Sequence, residues 1–322
     1  MAGSRLRVGV VGVGHLGRHH ARILGGLDDV ELVGVADRDL ERARAIAAEF
    51  GGEAVAEAAS LLGRVDAVTI AAPTEAHHDL ARLFLERGVP TLVEKPLART
   101  LAEADALVAL AEATGTPLGV GHTERFNPAV TAALALVTSP RFVEVHRLGT
   151  FPERSLDIDV VFDLMIHDLD VLLAVVEGEV TSVEAVGVPV LTPRVDIANA
   201  RLRFASGCIA NLTASRISRD RVRKVRFFQP HTYLSIDYAS QEVERWALEP
   251  GAGPGGRPGI AGGKLDVARE EPLRLELQDF VAAARARRAP RVSGAQGRRA
   301  LALAHRITEE IAAQQPAGPA RA

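Results

Sequence analysis

A chain of 322 residues, of which 47% are hydrophobic and 25% charged, has the composition of a globular protein of about two domains rather than of a disordered or fibrous one. Its 38 Lys and Arg residues are balanced by 41 Asp and Glu residues, and the net charge of -3 provides no field that would attract nucleic acid or an anionic membrane. We therefore expect its partners to be small molecules and further copies of the chain.

Cysteine content and apolar run length indicate the compartment. Cys208 is the only cysteine, which excludes an intramolecular disulfide and a cysteine-based metal cage and suits a reducing environment. The apolar run Val8–Val13 near the N-terminus is short and contains glycine, and no stretch approaches the roughly 20 apolar residues that a spanning helix needs. We expect a cytoplasmic protein with no export signal and no membrane anchor.

From Leu6 to about Gly121, β-branched apolar runs alternate with alanine-rich helical patterns. This alternation predicts a parallel sheet flanked by helices, because parallel strands need crossover connections of about this length. The predicted strands are Arg7–Val11, Glu31–Ala36, Ala67–Ala71, Thr91–Glu94 and Pro117–Val120. The predicted helices are Gly17–Leu27, Leu40–Phe50, Glu75–Arg87 and Leu101–Thr114.

The pattern changes after Asn127. Helices are predicted at Pro128–Val137 and Val160–Val176, with a strand at Phe142–Leu148 between them. Long runs of alternating polar and apolar residues then predict an α+β domain with an open, largely antiparallel sheet, in which Ser206-Gly207 forms a hairpin turn. These further strands are Thr181–Val190, Ile197–Phe204, Cys208–Arg216, Lys224–Phe228 and Thr232–Tyr238.

The last part of the chain begins with Glu249–Lys264, whose glycine and proline content predicts a mobile surface loop. Two helices follow, Glu271–Arg287 and Gln296–Ala313. We expect one domain over residues 1–121 and a second over residues 122–322, with the C-terminal helices able to pack back on the first.

The sequence Gly12-Val13-Gly14-His15-Leu16-Gly17 matches G-x-G-x-x-G between a strand and a helix. In a dinucleotide-binding Rossmann domain, the first glycine permits a tight turn, the second admits the pyrophosphate and the third allows close helix packing. Asp37 closes the second strand, where a carboxylate binds the adenosine ribose and repels the extra phosphate of NADP. NAD is therefore the expected cofactor, with Arg38 either pairing a 2'-phosphate or lying solvated or stacked on adenine.

Two further groups are candidates for the chemistry. Glu94-Lys95-Pro96 ends a predicted strand, at the sheet edge where ligands bind. Asp163 and His167 stand four residues apart in a predicted helix, so they share a face, as a structural pair or as a base with its orienting carboxylate. Oxidation of an alcohol needs such a base, although a lysine in an apolar setting can also serve, which leaves the roles of Lys95 and His167 open.

Taken together and in order, these motifs and Ala72-Pro73-Thr74 with His77 resemble the Gfo/Idh/MocA family of oxidoreductases along nearly the whole chain. The resemblance implies a dehydrogenase of sugars, cyclitols or sugar nucleotides that forms a homodimer or homotetramer through its C-terminal sheet. It implies that Lys95 contacts the reacting hydroxyl, that His167 is the general base and that Asp163 orients it. The implied cofactor-binding residues are Gly12, Gly14, His15, Leu16, Gly17, Asp37, Arg38, Thr74, His77, Glu94 and Lys95.

The stretches 125–128, 163–170, 195–201 and 211–216 resemble the branch of the family that oxidises the 3-hydroxyl of UDP-N-acetylglucosamine, on the way to diamino sugars of lipid A or surface polysaccharide. The implied substrate-binding residues are Lys95, Arg125, Asn127, Asp163, His167 and Arg216. The arginines would meet the diphosphate, although Arg216 and the basic residues after it also fit a solvated strand connection. A dehydrogenase of free sugars or cyclitols and a non-catalytic dinucleotide-binding sensor are the alternatives.

No metal is expected. The tandem pairs His19-His20 and His77-His78 are poor chelators, because adjacent residues of a helix point about 100° apart.

Overall fold

The computed structural model describes residues 4–151 and 158–314. The chain forms two compact units, each continuous in space but not in sequence. The first unit comprises Met1–Thr123 and Glu271–Leu301, and the second comprises Glu124–Glu270 and Ala302–Ala322. Within the described ranges, no helix combines the length and the apolar character required to cross a membrane.

The first unit contains a six-stranded parallel sheet, which confirms the predicted Rossmann domain. Its strand order is β3-β2-β1-β4-β5-β6, so the order reverses between β1 and β4. Ligands of such sheets bind beyond the carboxyl ends of the strands at this switch point. The strands are β1 (Leu6–Val11), β2 (Val30–Ala36), β3 (Glu53–Val55), β4 (Ala67–Ile70), β5 (Thr91–Glu94) and β6 (Leu118–Gly121).

Five helices cover this sheet, and a sixth contributes its first part. They are α1 (His15–Gly25), α2 (Leu40–Phe50), α3 (His77–Leu85), α4 (Leu101–Thr114), α7 (Pro272–Ala286) and α8 (Gly294–Gln314), the last assigned to this unit up to Leu301. The buried core joins Val8 and Val10 of β1 and Val35 of β2 to Leu277 and Phe280 of α7. Burial of these apolar side chains stabilises the edge on which the site is built.

The second unit contains an eight-stranded sheet of order β14-β13-β12-β11-β7-β10-β9-β8. Among the described strands of this sheet, only β7 and β10 pair in parallel, so the prediction of a largely antiparallel sheet is confirmed. The strands are β7 (Phe142–Leu148), β8 (Val180–Val188), β9 (Ile197–Phe204), β10 (Ile209–Ser215), β11 (Val222–Gln229), β12 (Thr232–Asp237), β13 (Glu242–Glu249) and β14 (Gly259–Lys264). The helices are α5 (Pro128–Leu134), α6 (Ile166–Val175) and the end of α8.

The segment 249–264 corrects the prediction of a surface loop. Its second half is the edge strand β14, which pairs with β13 through backbone hydrogen bonds that need no side chain. Gly262 makes this pairing possible, because a Cβ atom there would lie 2.0 Å from the carbonyl oxygen of Arg245. The glycines that suggested a loop instead permit close backbone approach.

Three smaller differences concern where elements begin and end. α5 ends at Leu134 rather than Val137. β8 ends at Val188 because the next backbone N–H groups turn to Asp196, whose Oδ2 accepts from residues 190, 191 and 192 at 2.7–2.9 Å. The helix expected from Val160 begins as a π-helical turn, Val161–Met165, before α6.

Candidate active site

The glycine loop between β1 and α1 has the geometry that a dinucleotide requires. Gly12 has φ +79°, and a Cβ atom there would lie 2.6 Å from the backbone nitrogen of Ala72. A Cβ atom on Gly17 would lie 1.8 Å from the Gly12 carbonyl oxygen, whereas one on Gly14 meets nothing within 4 Å. Gly12 and Gly17 are therefore packed against backbone, whereas the space beside Gly14 is open. Gly14 is the N-cap of α1 and provides no side-chain hydrogen bond to the first N–H groups of the helix. Both features suit a pyrophosphate.

Asp37 follows β2 and is fixed by the same loop. Its Oδ2 accepts a hydrogen bond from Val13 N at 2.9 Å, and its Oδ1 accepts one from Asp39 N at 2.9 Å. Each carboxylate oxygen has a second lone pair, so these bonds leave capacity for two hydroxyl groups. The residues present thus fit NAD. Arg38 is exposed, whereas Arg42, which the sequence did not indicate, lies 3.4 Å from both Asp37 oxygens.

His77 connects the loops that follow β4 and β5. Its Nε2 lies 2.8 Å from the Ala72 carbonyl oxygen, and its Nδ1 lies 2.9 Å from that of Pro96. The ring is only 1% exposed, and Thr74 begins the short 3-10 turn just before it. His77 therefore contacts backbone at both nitrogens, and it holds together two loops at the carboxyl edge of the sheet.

Glu94 ends β5 and is nearly buried beside Lys95. Its Oε1 lies 3.0 Å from Nε2 of His20, which comes from α1, and its Oε2 accepts from Lys95 N at 3.3 Å. Burial alone would raise the pKa of Glu94, but the hydrogen bond with His20 and the positive charges of His20, Lys95 and His77 lower it below its usual value. The carboxylate next to Lys95 is thereby kept ionised.

Asp163 and His167 belong to the second unit. Asp163 lies inside the π-helical turn, which the Ile166 N–H closes by donating to the Val161 carbonyl oxygen, and His167 is the second residue of α6. Both side chains are half-buried. A π turn inside a helix is a frequent feature of functional sites, because it displaces side chains from the regular helical positions.

A buried ionic network adjoins His167. Asp168, the next residue, accepts two hydrogen bonds from Arg147 of β7, at 2.6 Å from Nε and 3.0 Å from Nη2. Arg147 also donates to Glu124 at 3.0 Å and lies 5.1 Å from the ring centroid of Tyr238. Burial lowers the pKa of Arg147, but the charges of Asp168 and Glu124 outweigh it and raise that pKa well above its usual value. The network fixes the first turn of α6 on the sheet.

Asn127 has an internal role instead of the predicted substrate contact. Its Oδ1 accepts from Ala129 N at 3.1 Å and thereby caps α5. Its Nδ2 donates to the Tyr238 carbonyl oxygen at 3.0 Å and to Glu124 at 3.3 Å. With the side chain 2% exposed and its polar atoms engaged, we replace the substrate role by a structural one. Arg125 is 8% exposed and has Nη1 3.4 Å from Asp170.

Arg216 is corrected in the same way. Its guanidinium donates to Asp196 at 2.8 Å, to the Ile158 carbonyl oxygen at 2.7 Å and to Thr192 at 3.2 Å. The residue is 1% exposed, so it presents no free fork to a diphosphate. Burial raises the pKa of Asp196, but its hydrogen bonds hold that pKa well below the usual value. Of the nearby basic residues, Arg219 and Arg221 are exposed.

The members of each tandem histidine pair point to different surroundings. His20 is buried against Glu94, whereas the His19 ring lies 5.2 Å from that of His15. His77 lies between two carbonyl oxygens, whereas His78 contacts Asp79. In residues 4–151 and 158–314, no three His, Cys, Asp or Glu side chains form a group able to hold a metal ion.

Comparison with known families matches both units. Residues 6–122 match the model of an oxidoreductase family with an NAD-binding Rossmann fold, and residues 140–229 match the GFO/IDH/MocA C-terminal domain.

Individual relatives cover nearly the whole chain. UDP-N-acetylglucosamine 3-dehydrogenase of Acidithiobacillus ferrooxidans is 39% identical over 309 residues, which are 96% of this chain and 98% of that protein. Its solved structure matches with a TM-score of 0.89 at 38% identity, again over 96% and 98% of the two chains. Myo-inositol dehydrogenase Hyg17 of Streptomyces leeuwenhoekii is 32% identical over 80% of each chain. A levoglucosan dehydrogenase solved with NADH and levoglucosan shares the fold, with a TM-score of 0.86 at 20% identity over 97% of this chain and 98% of that one.

Proposed function

Because the chain belongs to the Gfo/Idh/MocA family of NAD-binding oxidoreductases, we propose that it oxidises the 3-hydroxyl of UDP-N-acetylglucosamine to a ketone. The observation that carries the proposal is the similarity to the enzyme of that name in A. ferrooxidans, at 39% identity over 96% of the chain. Lys95, Asp163 and His167 support a catalytic protein, because cofactor binding alone requires none of them.

The proposed roles follow from the chemistry of each side chain. NAD, when bound, supplies the acceptor for the hydride that leaves the sugar carbon. The Lys95 ammonium donates a hydrogen bond to the reacting oxygen and stabilises the negative charge that develops there. His167 takes the hydroxyl proton, and Asp163 orients His167. The glycine loop and Asp37 hold the cofactor, while Thr74, His77 and Glu94 shape the loops beside it.

Recognition of the diphosphate does not rest on Arg216, since that side chain is satisfied internally. The exposed Arg219 and Arg221 are the proposed replacements. A free cyclitol is the second candidate substrate, because a myo-inositol dehydrogenase is 32% identical over 80% of the chain.

We also propose a cytoplasmic homodimer or homotetramer that associates through the sheet of the second unit. Its strands carry exposed large apolar side chains, among them Val186 at 53%, Trp246 at 41% and Ile260 at 78% exposure.

The test is a substrate panel. Purified protein is incubated with NAD and, separately, with UDP-N-acetylglucosamine, free N-acetylglucosamine and myo-inositol, while NADH absorbance and product mass are followed. We expect NADH and a product lighter by two hydrogen atoms only with the sugar nucleotide. Equal turnover of free N-acetylglucosamine would contradict diphosphate recognition, and turnover of myo-inositol alone would replace the proposed substrate by a cyclitol.

A further inference from the structure

The buried contact between His20 and Glu94 connects the cofactor helix to the residue before Lys95. We propose that His20 is a positioning residue: by its hydrogen bond it keeps Glu94 ionised, and Glu94 in turn keeps Lys95 a charged hydrogen-bond donor, which leaves the proton of the hydroxyl to another base. The inference rests on the proposed function for the part that Lys95 plays in the reaction.

The burial of His20 is not explained by packing alone. The ring is 0% exposed, yet within the described residues its Nδ1 has no hydrogen-bond partner, so Glu94 is the only polar group that the imidazole reaches. A buried polar atom left unsatisfied is destabilising, and a leucine would fill the same space without one. The hydrogen bond to Glu94 therefore gives the buried imidazole a role that an apolar side chain could not fill.

His20 and His77 both lower the pKa of Glu94, but their contacts differ. His77 comes from α3, and its two ring nitrogens contact the carbonyl oxygens of Ala72 and Pro96, so it connects two loops. His20 comes from α1 and contacts the carboxylate directly. Lys95 of the adjoining loop acts on Glu94 in the same direction as these two histidines. Removing His20 takes away the hydrogen bond and leaves burial as the dominant influence.

The consequence for Lys95 follows from mutual attraction. A carboxylate and an ammonium stabilise each other's charged forms, so an ionised Glu94 favours the ammonium of Lys95. An ammonium donates hydrogen bonds to an alkoxide but accepts no proton. The hydroxyl proton must then go elsewhere, which assigns the general base to His167 rather than to Lys95.

The experiment measures the reactivity of Lys95, for which no substrate is needed. The rate at which acetic anhydride modifies Lys95 is measured by competitive labelling and mass spectrometry as a function of pH, in the wild type and in H20L, H20Q, E94Q and H20L/E94Q. His20→Leu removes the donor and leaves the buried Glu94 with weaker compensation, so Glu94 is protonated at a higher pH and then no longer favours the ammonium of Lys95. We expect labelling of Lys95 to be about tenfold faster in H20L than in the wild type at the pH values where Glu94 of the variant is protonated.

The other variants separate the hydrogen bond from general packing. H20Q keeps an N–H donor and is expected to label close to the wild-type rate. H20L/E94Q is expected to match E94Q, because His20 acts through Glu94. His78→Leu is the matched control, since His78 contacts Asp79 on the surface of α3, and it should label as the wild type does. In an active enzyme, the acidic limb of the kcat profile should also move to higher pH in H20L, with the KM for NAD unchanged.

Three outcomes would overturn the inference: H20L labelling at the wild-type rate, H20Q labelling as fast as H20L, or additive effects of H20L and E94Q. The outcome is independent of the substrate. If labelling behaves as expected but no alcohol is oxidised, the positioning role of His20 stands and the proposed function fails.

Discussion

Both proposed catalytic side chains have a buried carboxylate as a neighbour in the chain, but the two carboxylates are held by different kinds of side chain. Glu94 precedes Lys95 in the first unit and shares one contact of 3.0 Å with the imidazole of His20. Asp168 follows His167 in the second unit and accepts two hydrogen bonds, at 2.6 and 3.0 Å, from the guanidinium of Arg147.

The difference separates an ion pair with two hydrogen bonds from a contact with one. A guanidinium stays charged at every working pH and binds a carboxylate with two parallel bonds, so Arg147 and Asp168 hold α6 in one position. The imidazole of His20 reaches Glu94 through Nε2 alone. We therefore expect the second unit to derive more stability from its ion pair than the first unit derives from the contact between His20 and Glu94.

The largest effect is expected from removing the positioned residues themselves. Lys95→Ala and His167→Ala should each lower kcat by about a hundred- to ten-thousand-fold, because one removes charge stabilisation and the other a positioned base. Steady-state kinetics with the substrate found in the panel above measure the loss. Asp163→Asn should be milder, since the amide retains a hydrogen-bonding group.

All three variants should still bind NAD, because the glycine loop and Asp37 are unchanged in them. Fluorescence titration with NADH provides that control. Near-normal turnover in H167A would contradict the base assignment and make Lys95 the better candidate for the base.

A smaller effect, on the free energy of unfolding, is expected from breaking the ion pair between Arg147 and Asp168. Arg147→Met leaves Asp168 buried without its partner, which should lower the free energy of unfolding by about 3–5 kcal/mol. Urea unfolding followed by circular dichroism measures it. At pH 7, His20→Leu should lower the free energy of unfolding by only about 1–3 kcal/mol, since Lys95 and His77 still stabilise the charge of Glu94.

Two controls test the assignment to the ion pair. Arg203→Met changes an exposed arginine of β9 in the same sheet and should leave stability within about 0.5 kcal/mol. The double variant R147M/D168L removes both charges and should recover much of the loss, because a pair of apolar residues needs no counterion. A loss in R147M no larger than in R203M would mean that the network does not anchor α6.

The fold was predictable from the sequence where hydrophobic period and turn chemistry agree. The glycine loop, the alternating strands and the Ser206-Gly207 turn each carry a local signal, and Gly207 indeed has φ +83°. The edge strand β14 was missed because its glycines lack the apolar alternation that marks a strand, and its pairing depends on backbone approach to Arg245. The π turn was missed because its signal lies in packing.

For the site, sequence motifs indicated single residues but not the partners that hold them. The sequence does contain two signals for the ion pair between Arg147 and Asp168. Arg147 occupies an inward position of an alternating strand, and Asp168 interrupts an apolar helix. A buried charge needs a counterion, so each of these two positions indicates that a partner of opposite charge is present. The sequence does not show which residue that partner is. Arg216 was misassigned because the sequence does not show that Asp196, twenty positions earlier, saturates it.

The smallest effect concerns Asp37, a carboxylate held by two backbone N–H groups at 2.9 Å, with Arg42 at a longer 3.4 Å. Asp37→Ala should narrow the preference for NAD over NADP about tenfold, because it removes the ribose acceptor and the charge that repels a 2'-phosphate. It also releases Arg42, now 3.4 Å from both Asp37 oxygens, to pair with that phosphate. The double variant D37A/R42A separates the two causes: it should bind NADP less tightly than D37A does while binding NAD equally. The dissociation constants of both cofactors, measured by calorimetry, decide the matter, and equal affinity for NAD and NADP in the unmodified protein would show that Asp37 does not discriminate.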